Sequence, residues 1–143
     1  MKKNLNIIDL ISEKHIILRR EVEDRWKTTG EDGIYHTEAL LLAKISMGRI
    51  ALAEVARQAN VFRQAMYKCA KKLEDRGYLK FVADKSNNKY AELTEKGIEY
   101  CKKSIALKEK IEEDISRVIG VENLKLIKEL INKEWILDTS KKK

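Results

Sequence analysis

The sequence predicts a mainly α-helical fold with one small β-hairpin. The 143 residues include no proline and are rich in Lys, Glu, Leu, Ile and Ala, a composition typical of long helices. Apolar residues recur with helical spacing over most of the chain, and the period falls to two only between residues 78 and 93. The length allows one domain with helical extensions.

The first helix is predicted over about residues 5–26, where apolar residues nearly follow a seven-residue repeat. After a loop that holds two glycines, a second helix is predicted to begin at His36 and to end at Gly48. Apolar residues cover much of its surface, so we expect this helix to lie in the core.

Two short helices follow in close succession, over residues 52–59 and about 62–76. Small apolar residues line one side of the first: Leu52, Val55, Ala56 and Ala59. Asn60 tolerates the left-handed backbone conformation that a tight turn between helices needs. The inward stripe of the second helix comprises Met66, Cys69, Ala70 and Leu73. Its outward stripe comprises Arg63, Gln64, Tyr67, Lys68 and Lys71.

The change of period after Gly77 predicts two strands, over residues 78–83 and 89–93, joined by a polar turn over residues 84–88. A short hairpin directly after a helix-turn-helix is a wing, so we place a winged helix-turn-helix region at residues 37–93. Thr94 offers the N-cap of a long helix, although Gly97 in its first turn is a poor helix former. Gly120 separates that helix from a last one over residues 121–135.

Positive charge is concentrated on the second short helix and the wing. Residues 63–89 contain eight basic and three acidic side chains, in a chain whose net charge is +7. Because DNA-binding helices enter the major groove near their N-termini, we expect base contacts from Arg63, Gln64, Tyr67 and Lys68. Phosphate contacts are expected from Lys71, Lys72, Lys85 and Lys89. The alternative is that these side chains simply form a solvated face.

The first and last helical regions, residues 4–27 and 95–136, carry more apolar surface than the winged region could cover. A second copy of the chain, related by two-fold symmetry, is the simplest way to bury this dimerisation surface. The two DNA-binding helices would then reach major grooves about 34–36 Å apart. The alternative is that the helical arms fold back onto their own chain. Residues 137–143 are expected to form a basic tail with little role.

Three segments carry a resemblance to a known family: LAEVA at residues 52–56, KLEDRGYL at residues 72–79 and LTEKG at residues 93–97. In their order and separation they resemble the MarR-type winged-helix transcriptional regulators. The resemblance implies a dimer of α-α-α-α-β-β-α-α chains, with paired terminal helices and two winged regions on a palindromic operator.

Two features depart from that family's pattern. Phe62 stands where a serine-like residue usually caps the DNA-binding helix, and Asn60 is the nearest substitute for the cap. The wing is short and carries lysines where an Asp-Arg-Arg run is common. Since lysine is a point charge without a rigid fork, we expect the wing to contact phosphates more than bases.

The remaining reactive residues are few. Cys69 and Cys101 occupy apolar helical positions, where cysteine acts as a small hydrophobe. Because some of the resembled regulators sense oxidants, a redox role for Cys69 is kept as an alternative. His15 and His36 lie in different predicted helices without metal-ligand spacing, so neither a metal nor a cofactor is expected. No phosphate-binding glycine loop, nucleophile elbow or carboxylate pair is recognisable, which argues against an enzyme.

The sequence also limits where the protein acts and what else it binds. No apolar run approaches the roughly 20 residues needed to span a bilayer, and no export signal is recognisable, so a cytoplasmic protein is expected. The resemblance implies a small aromatic effector in a cleft beside the helical arms, for which the candidate lining residues are Arg19, Trp26, Tyr35 and His36. The same residue types are equally typical of ordinary core and interface.

Together these observations predict a homodimeric, sequence-specific regulator of transcription that binds double-stranded DNA, most simply a repressor that blocks polymerase at a promoter. One alternative is a winged-helix protein-interaction module whose basic face binds an acidic partner. Another is a replication or maintenance protein of a mobile element. The operator, the regulated genes, the effector and the sign of regulation leave no recognisable pattern in the sequence.

Overall fold

The computed structural model describes residues 5–137, and over these residues it contains six helices and one two-stranded sheet. The elements are α1 (Ile7–Thr28), α2 (His36–Ser46), α3 (Leu52–Ala59), α4 (Arg63–Asp75), β1 (Leu79–Val82), β2 (Tyr90–Leu93), α5 (Glu95–Ile119) and α6 (Val121–Ile131). This order confirms the predicted fold class. The basic tail expected at residues 137–143 lies, after its first residue, outside the described residues.

The chain divides into two compact units at the middle of α5. The first unit ends at residue 106 and holds α1 to β2 with the first half of α5, and the second unit holds the rest of α5 and α6. None of the helices within residues 5–137 is long and apolar enough to cross a membrane. All of the residues predicted to bind DNA lie in the first unit.

The core of the first unit is built from one face each of α2, α3, α4 and the hairpin. Its largest fully buried side chains are Leu41, Leu42, Leu52, Val55, Met66, Leu73 and Leu79. Burying such a side chain contributes about 1.5–3 kcal/mol relative to leaving it exposed. The predicted inward stripe of the second short helix, now α4, is buried over its whole length, which confirms the orientation of that helix.

The turn between α3 and α4 depends on a left-handed residue. Asn60 has φ 55° and ψ 47°, and among the described residues it is the one residue other than glycine with a positive φ. The amide of Val61 donates to the carbonyl of Ala56 at 3.0 Å, so the backbone reverses immediately after α3. The prediction for Asn60 is therefore confirmed, and it leaves α4 free to pack across α3.

The hairpin packs one face on the core. Leu79 pairs with Leu93 and Phe81 with Ala91, and these four residues belong to the core or pack against it. Each strand has only four residues, so both are shorter than predicted. The amide of Leu52, at the start of α3, donates to the carbonyl of Lys89 at 2.9 Å. This hydrogen bond attaches the wing to the helix-turn-helix.

Gly97 is required by a close approach at the start of α5. The Thr94 hydroxyl accepts a hydrogen bond from the Gly97 amide at 3.2 Å, as predicted for an N-cap, and donates to the Gly77 carbonyl at 2.5 Å. A Cβ added at Gly97 would lie 2.1 Å from the carbonyl oxygen of Tyr78. Glycine is therefore required here, although it is a poor helix former, because no side chain fits between α5 and the chain entering β1.

Substitution of Gly97 should test this close approach. Alanine is the better helix former by about 1 kcal/mol, yet we expect Gly97→Ala to lower the free energy of unfolding by about 1–3 kcal/mol, because the new Cβ forces the backbone apart. Urea denaturation followed by circular dichroism measures the change. Gly33→Ala is the matched control, since nothing lies within 4 Å of its added Cβ. Equal or higher stability of Gly97→Ala would contradict the close approach.

Candidate nucleic-acid interface

The N-terminal half of α4 presents a free polar surface. Arg63, Gln64 and Lys68 are exposed, and their side chains form no hydrogen bond or ion pair with any other residue of the described chain. Gln64 and Lys68 lie on the side opposite the buried stripe of α4, whereas Arg63, in the first turn, lies on the side of α3, where it lines a shallow groove with Glu54 and Arg57. The donors of Arg63, Gln64 and Lys68 are therefore available to a ligand that offers acceptors.

Tyr67 differs from its predicted neighbours because it is half-buried. Its ring packs against the edge of the core, and the ammonium group of Lys89 lies 4.8 Å from the ring centroid. Tyr67 and Lys89 also line a cleft of about 470 Å³ between α4 and the wing, together with Lys71, Phe81, Val82, Asn88 and Tyr90. The two residues thus join the helix to the wing, which the outward stripe in the sequence did not reveal.

Two of the basic side chains counted in this region are already paired within the chain. Lys71 lies 2.9 Å from Glu74 and 3.3 Å from Asp75, and its hydrogen bonds to these carboxylates raise its pKa above the ordinary value. Arg76 forms an ion pair with Glu38. Lys72 and Lys85 are exposed and have no such partner among residues 5–137. The available positive charge is therefore smaller than the sequence count indicates. It lies at the six remaining basic residues: Arg63, Lys68, Lys72, Lys80, Lys85 and Lys89, the last of which lies over the Tyr67 ring.

The Glu38–Arg76 pair fixes the C-terminal end of α4. The side chain of Glu38 is only 5% exposed; its carboxylate accepts from Arg76 at 3.3 Å and from the Tyr35 amide at 2.9 Å. Arg76 also donates to the carbonyl of Gly33 at 2.7 Å. A buried carboxylate needs such partners, since an unpaired charge there would be strongly destabilising. The pair joins residues 38 positions apart, so no local pattern in the sequence indicates it.

Arg49 supports the base of the wing, and sequence reasoning missed it. Its guanidinium lies 3.9 Å from the ring centroid of Tyr90 and forms an ion pair with Asp84. Asp84 also accepts hydrogen bonds from the amide and hydroxyl of Ser86, and these bonds, followed by Arg49, lower its pKa. The contacts hold the first residues of the turn, which leaves Lys85 at the exposed tip.

Phe62 begins α4 without capping it. It is the N-cap residue, forms no side-chain cap, and is 86% exposed. Asn60 does not replace the cap, because its side chain forms no hydrogen bond among the described residues and its backbone serves the left-handed turn. A serine-like cap typically stabilises a helix by about 1 kcal/mol, so α4 begins without that contribution.

The two cysteines are buried, and the two histidines pack against each other. Cys69 is 8% exposed, and its pKa is raised to about 11 by burial first and by the nearby charge of Glu38 second. Reactive thiols show the opposite shift. Cys101 is also buried, and the rings of His15 and His36 meet edge to face with centroids 5.8 Å apart. The described residues include no group of three or more side chains that could hold a metal ion.

The residues considered for an effector cleft take part in ordinary contacts. The indole of Trp26 donates to the Asp32 carbonyl at 2.9 Å, and its ring lies 5.2 Å from that of Tyr100. Arg19 pairs with Glu23 on the next turn of α1, and Tyr35 is exposed. These contacts explain the positions of the Trp26 and Arg19 side chains, and no ligand is needed to explain them.

Comparison with known proteins identifies the fold. No protein-family model and no curated protein matches the chain. Among solved structures, the reduced form of MarR from Escherichia coli matches with a TM-score of 0.75 at 14% identity, covering 91% of this chain and 96% of its own.

The Mycobacterium tuberculosis MarR family protein Rv2887 is similar in two relevant complexes. Its complex with DNA matches with a TM-score of 0.70 and 23% identity, over 90% of this chain and 96% of that one. Its complex with salicylic acid matches with a TM-score of 0.69 and 24% identity, over 92% and 97% of the two chains. The chain therefore has the winged helix-turn-helix fold of the MarR family transcriptional regulators, as the sequence resemblance predicted.

The surroundings of Cys69 predict slow thiol chemistry. Against an ordinary pKa of 9.0, a pKa of about 11 lowers the thiolate fraction at pH 8 by roughly a hundredfold. Alkylation by iodoacetamide, read by mass spectrometry of the Cys69 peptide, should be slower by at least that factor in the native protein than in urea. The native rate should rise with pH up to about 11. Equal rates in both states would restore the redox alternative.

Proposed function

We propose that this protein is a homodimeric, cytoplasmic transcriptional regulator that binds double-stranded DNA sequence-specifically, most simply as a repressor that occupies a promoter. The observation that carries the proposal is the unpaired cationic surface on the N-terminal half of α4, beside a lysine-tipped wing, on a winged helix-turn-helix fold. The fold likeness to a protein solved with DNA supports the same reading.

The surface formed by Arg63, Gln64, Tyr67 and Lys68 on α4 suits the major groove. Helix α4 has 13 residues, about 20 Å at 1.5 Å per residue, and an α-helix fits the major groove of B-DNA. Arg63 and Lys68 can donate to guanine, and Gln64 can pair with adenine through two hydrogen bonds. Tyr67, fixed by Lys89 at the helix–wing junction, is the fourth residue at this surface.

The phosphate contacts surround that surface. Lys72 and Lys85 are free to bind phosphates directly, whereas Lys71 must exchange Glu74 and Asp75 for a phosphate and Lys89 must leave or share the Tyr67 ring. Contacts of this type position a protein on DNA without reading its sequence. We therefore assign the sequence preference to α4 and most of the salt dependence to the lysines.

The apolar face of α1 supports a homodimer over a palindromic operator. No residue of α1 is buried, and eight large apolar side chains near its N-terminal half are at least 39% exposed. They are Leu5, Ile7, Ile8, Leu10, Ile11, Ile16, Ile17 and Leu18. Helix α6 likewise has no buried residue. Exposed apolar surface of this extent is typical of an interface, and a second copy is its simplest occupant.

Lys85→Ala and Gln64→Ala should affect DNA binding differently. Loss of a phosphate contact at Lys85 should weaken binding to all duplexes alike and lower the salt slope by about one unit. Loss of Gln64 should mainly change which duplex is preferred. Fluorescence anisotropy with a duplex selected from a random library, and with its scrambled form, measures both effects.

Lys108→Ala is the control for that pair of variants, because Lys108 is an exposed lysine of α5 outside α4 and the wing. It should leave both affinity and salt slope unchanged. Uniform loss on every duplex for Gln64→Ala would refute its base-reading role. Binding of the wild type to acidic proteins but to no duplex would replace the DNA proposal by the protein-interaction alternative.

Charges placed on α1 should separate the dimer. Ile8 is 72% exposed and Ile11 is 42% exposed, so the Ile8→Glu, Ile11→Glu double variant leaves no cavity in its own chain while burying two carboxylates in the interface. Sedimentation equilibrium should show the mass falling from two chains to one. Arg20→Glu, on another side of α1, should stay dimeric. A monomeric wild-type protein would contradict the dimer proposal.

A further inference from the structure

Phe62 has no role in the fold that the structure describes. Its ring is 86% exposed, it belongs to no part of the core, and its side chain cannot accept the hydrogen bond that an N-cap residue normally takes from α4. Single exposed apolar residues are common on protein surfaces. This one occupies a position where an ordinary polar residue would stabilise the helix, and such departures from local rules are expected at functional sites.

The neighbours of Phe62 limit what its ring can contact. Arg63 and Gln64 follow it directly and are exposed without partners among residues 5–137, and the next exposed residue, Ala65, is apolar and lies three positions along. No acidic residue occurs between Phe62 and Glu74. The start of α4 therefore combines a small apolar surface with two unpaired polar side chains, the cationic guanidinium of Arg63 and the neutral amide of Gln64.

An apolar groove on a protein partner would fit this surface poorly. Seating Phe62 there would also remove water from Arg63 and Gln64, whose donors would need new acceptors. The DNA major groove supplies both components side by side: base acceptors for the donors, and the C5 methyl of thymine as its apolar group. Aromatic and small apolar side chains are known contacts of that methyl group.

We propose that Phe62 reads thymine, by packing its ring against the C5 methyl group of one thymine in each half-site of the operator. The inference rests on the proposed DNA-binding function and adds a specificity residue to it. The proposal explains why no side chain caps α4, because a serine at position 62 would stabilise the helix but offer no comparable apolar surface. It also gives α4 a contact that neither Arg63 nor Gln64 can make, since both recognise hydrogen-bonding groups.

Deoxyuridine tests the proposal, because it differs from thymidine only in lacking the methyl group. In a duplex selected from a random library, each thymine is replaced in turn, symmetrically in both half-sites, and affinity is measured by fluorescence anisotropy. Burial of one methyl group is equivalent to about fourfold in affinity, so the wild type should lose about sixteenfold at one symmetric pair of positions.

Phe62→Ser is the matched variant. It removes the ring and supplies an N-cap, so the protein should unfold at the same or a higher temperature than the wild type. On the thymine duplex it should bind more weakly than the wild type, and at the sensitive position it should bind thymine and deoxyuridine duplexes equally. Met47→Ser, at another exposed apolar residue outside α4 and the wing, should keep the full sensitivity of the wild type.

The outcomes separate this inference from the function on which it rests. Failure of the wild type to prefer any duplex would refute the DNA-binding proposal itself. Selective binding in which deoxyuridine is tolerated everywhere, or in which Phe62→Ser stays sensitive to the methyl group, would overturn the role of Phe62 alone. Equal weakening of both duplexes by Phe62→Ser would mean that the ring contacts sugar and phosphate. An unchanged affinity would mean that it faces another partner, and either result overturns thymine reading.

Discussion

The packing of one face of α4 against α2 and α3 is the constraint on which the remaining structure depends. Met66 and Leu73 lie in a core with Leu41, Leu42 and Leu52, so the rotation of α4 about its axis is set by apolar burial. Once that face is buried, the opposite face must carry polar residues to water or to a ligand. The exposure of Gln64 and Lys68 is therefore a consequence of core packing, and the same packing orients the surface proposed to bind DNA.

Specific polar contacts then limit the movement of the surface around that helix. The buried Glu38 carboxylate holds Arg76 at the C-terminal end of α4, and Arg49 holds the base of the wing through Asp84 and Tyr90. Lys89 over the ring of Tyr67 joins the wing to the helix. A preorganised surface loses less conformational entropy on binding, so these contacts would favour binding of any ligand at this surface without touching it. These contacts also separate the basic residues that stabilise the fold from those that remain available to a ligand.

Much of this could be predicted from the sequence because it depends on contacts within a few residues. The period of the apolar residues identified the inward stripe of α4, and the backbone tolerance of Asn60 identified the left-handed turn, which has φ 55°. The cap at Thr94 and the hairpin were likewise predictable from local residue types. The ends of the strands were less so, because the sequence alternation continues beyond the residues that form ladder pairs.

The sequence by itself thus determined the order of the elements, the buried faces of α3 and α4 and the concentration of positive charge around α4. Only the tertiary structure decided that Arg76 is not available, since it pairs with Glu38 of α2, whereas Lys71 pairs with Glu74 and Asp75 within α4 itself. It also decided that Gly97 is needed against Tyr78 and that Tyr67 belongs to the helix–wing junction. Periodicity reports which way a side chain points along its own element, whereas the Glu38–Arg76 ion pair and the close approach at Gly97 depend on residues from different segments meeting in space.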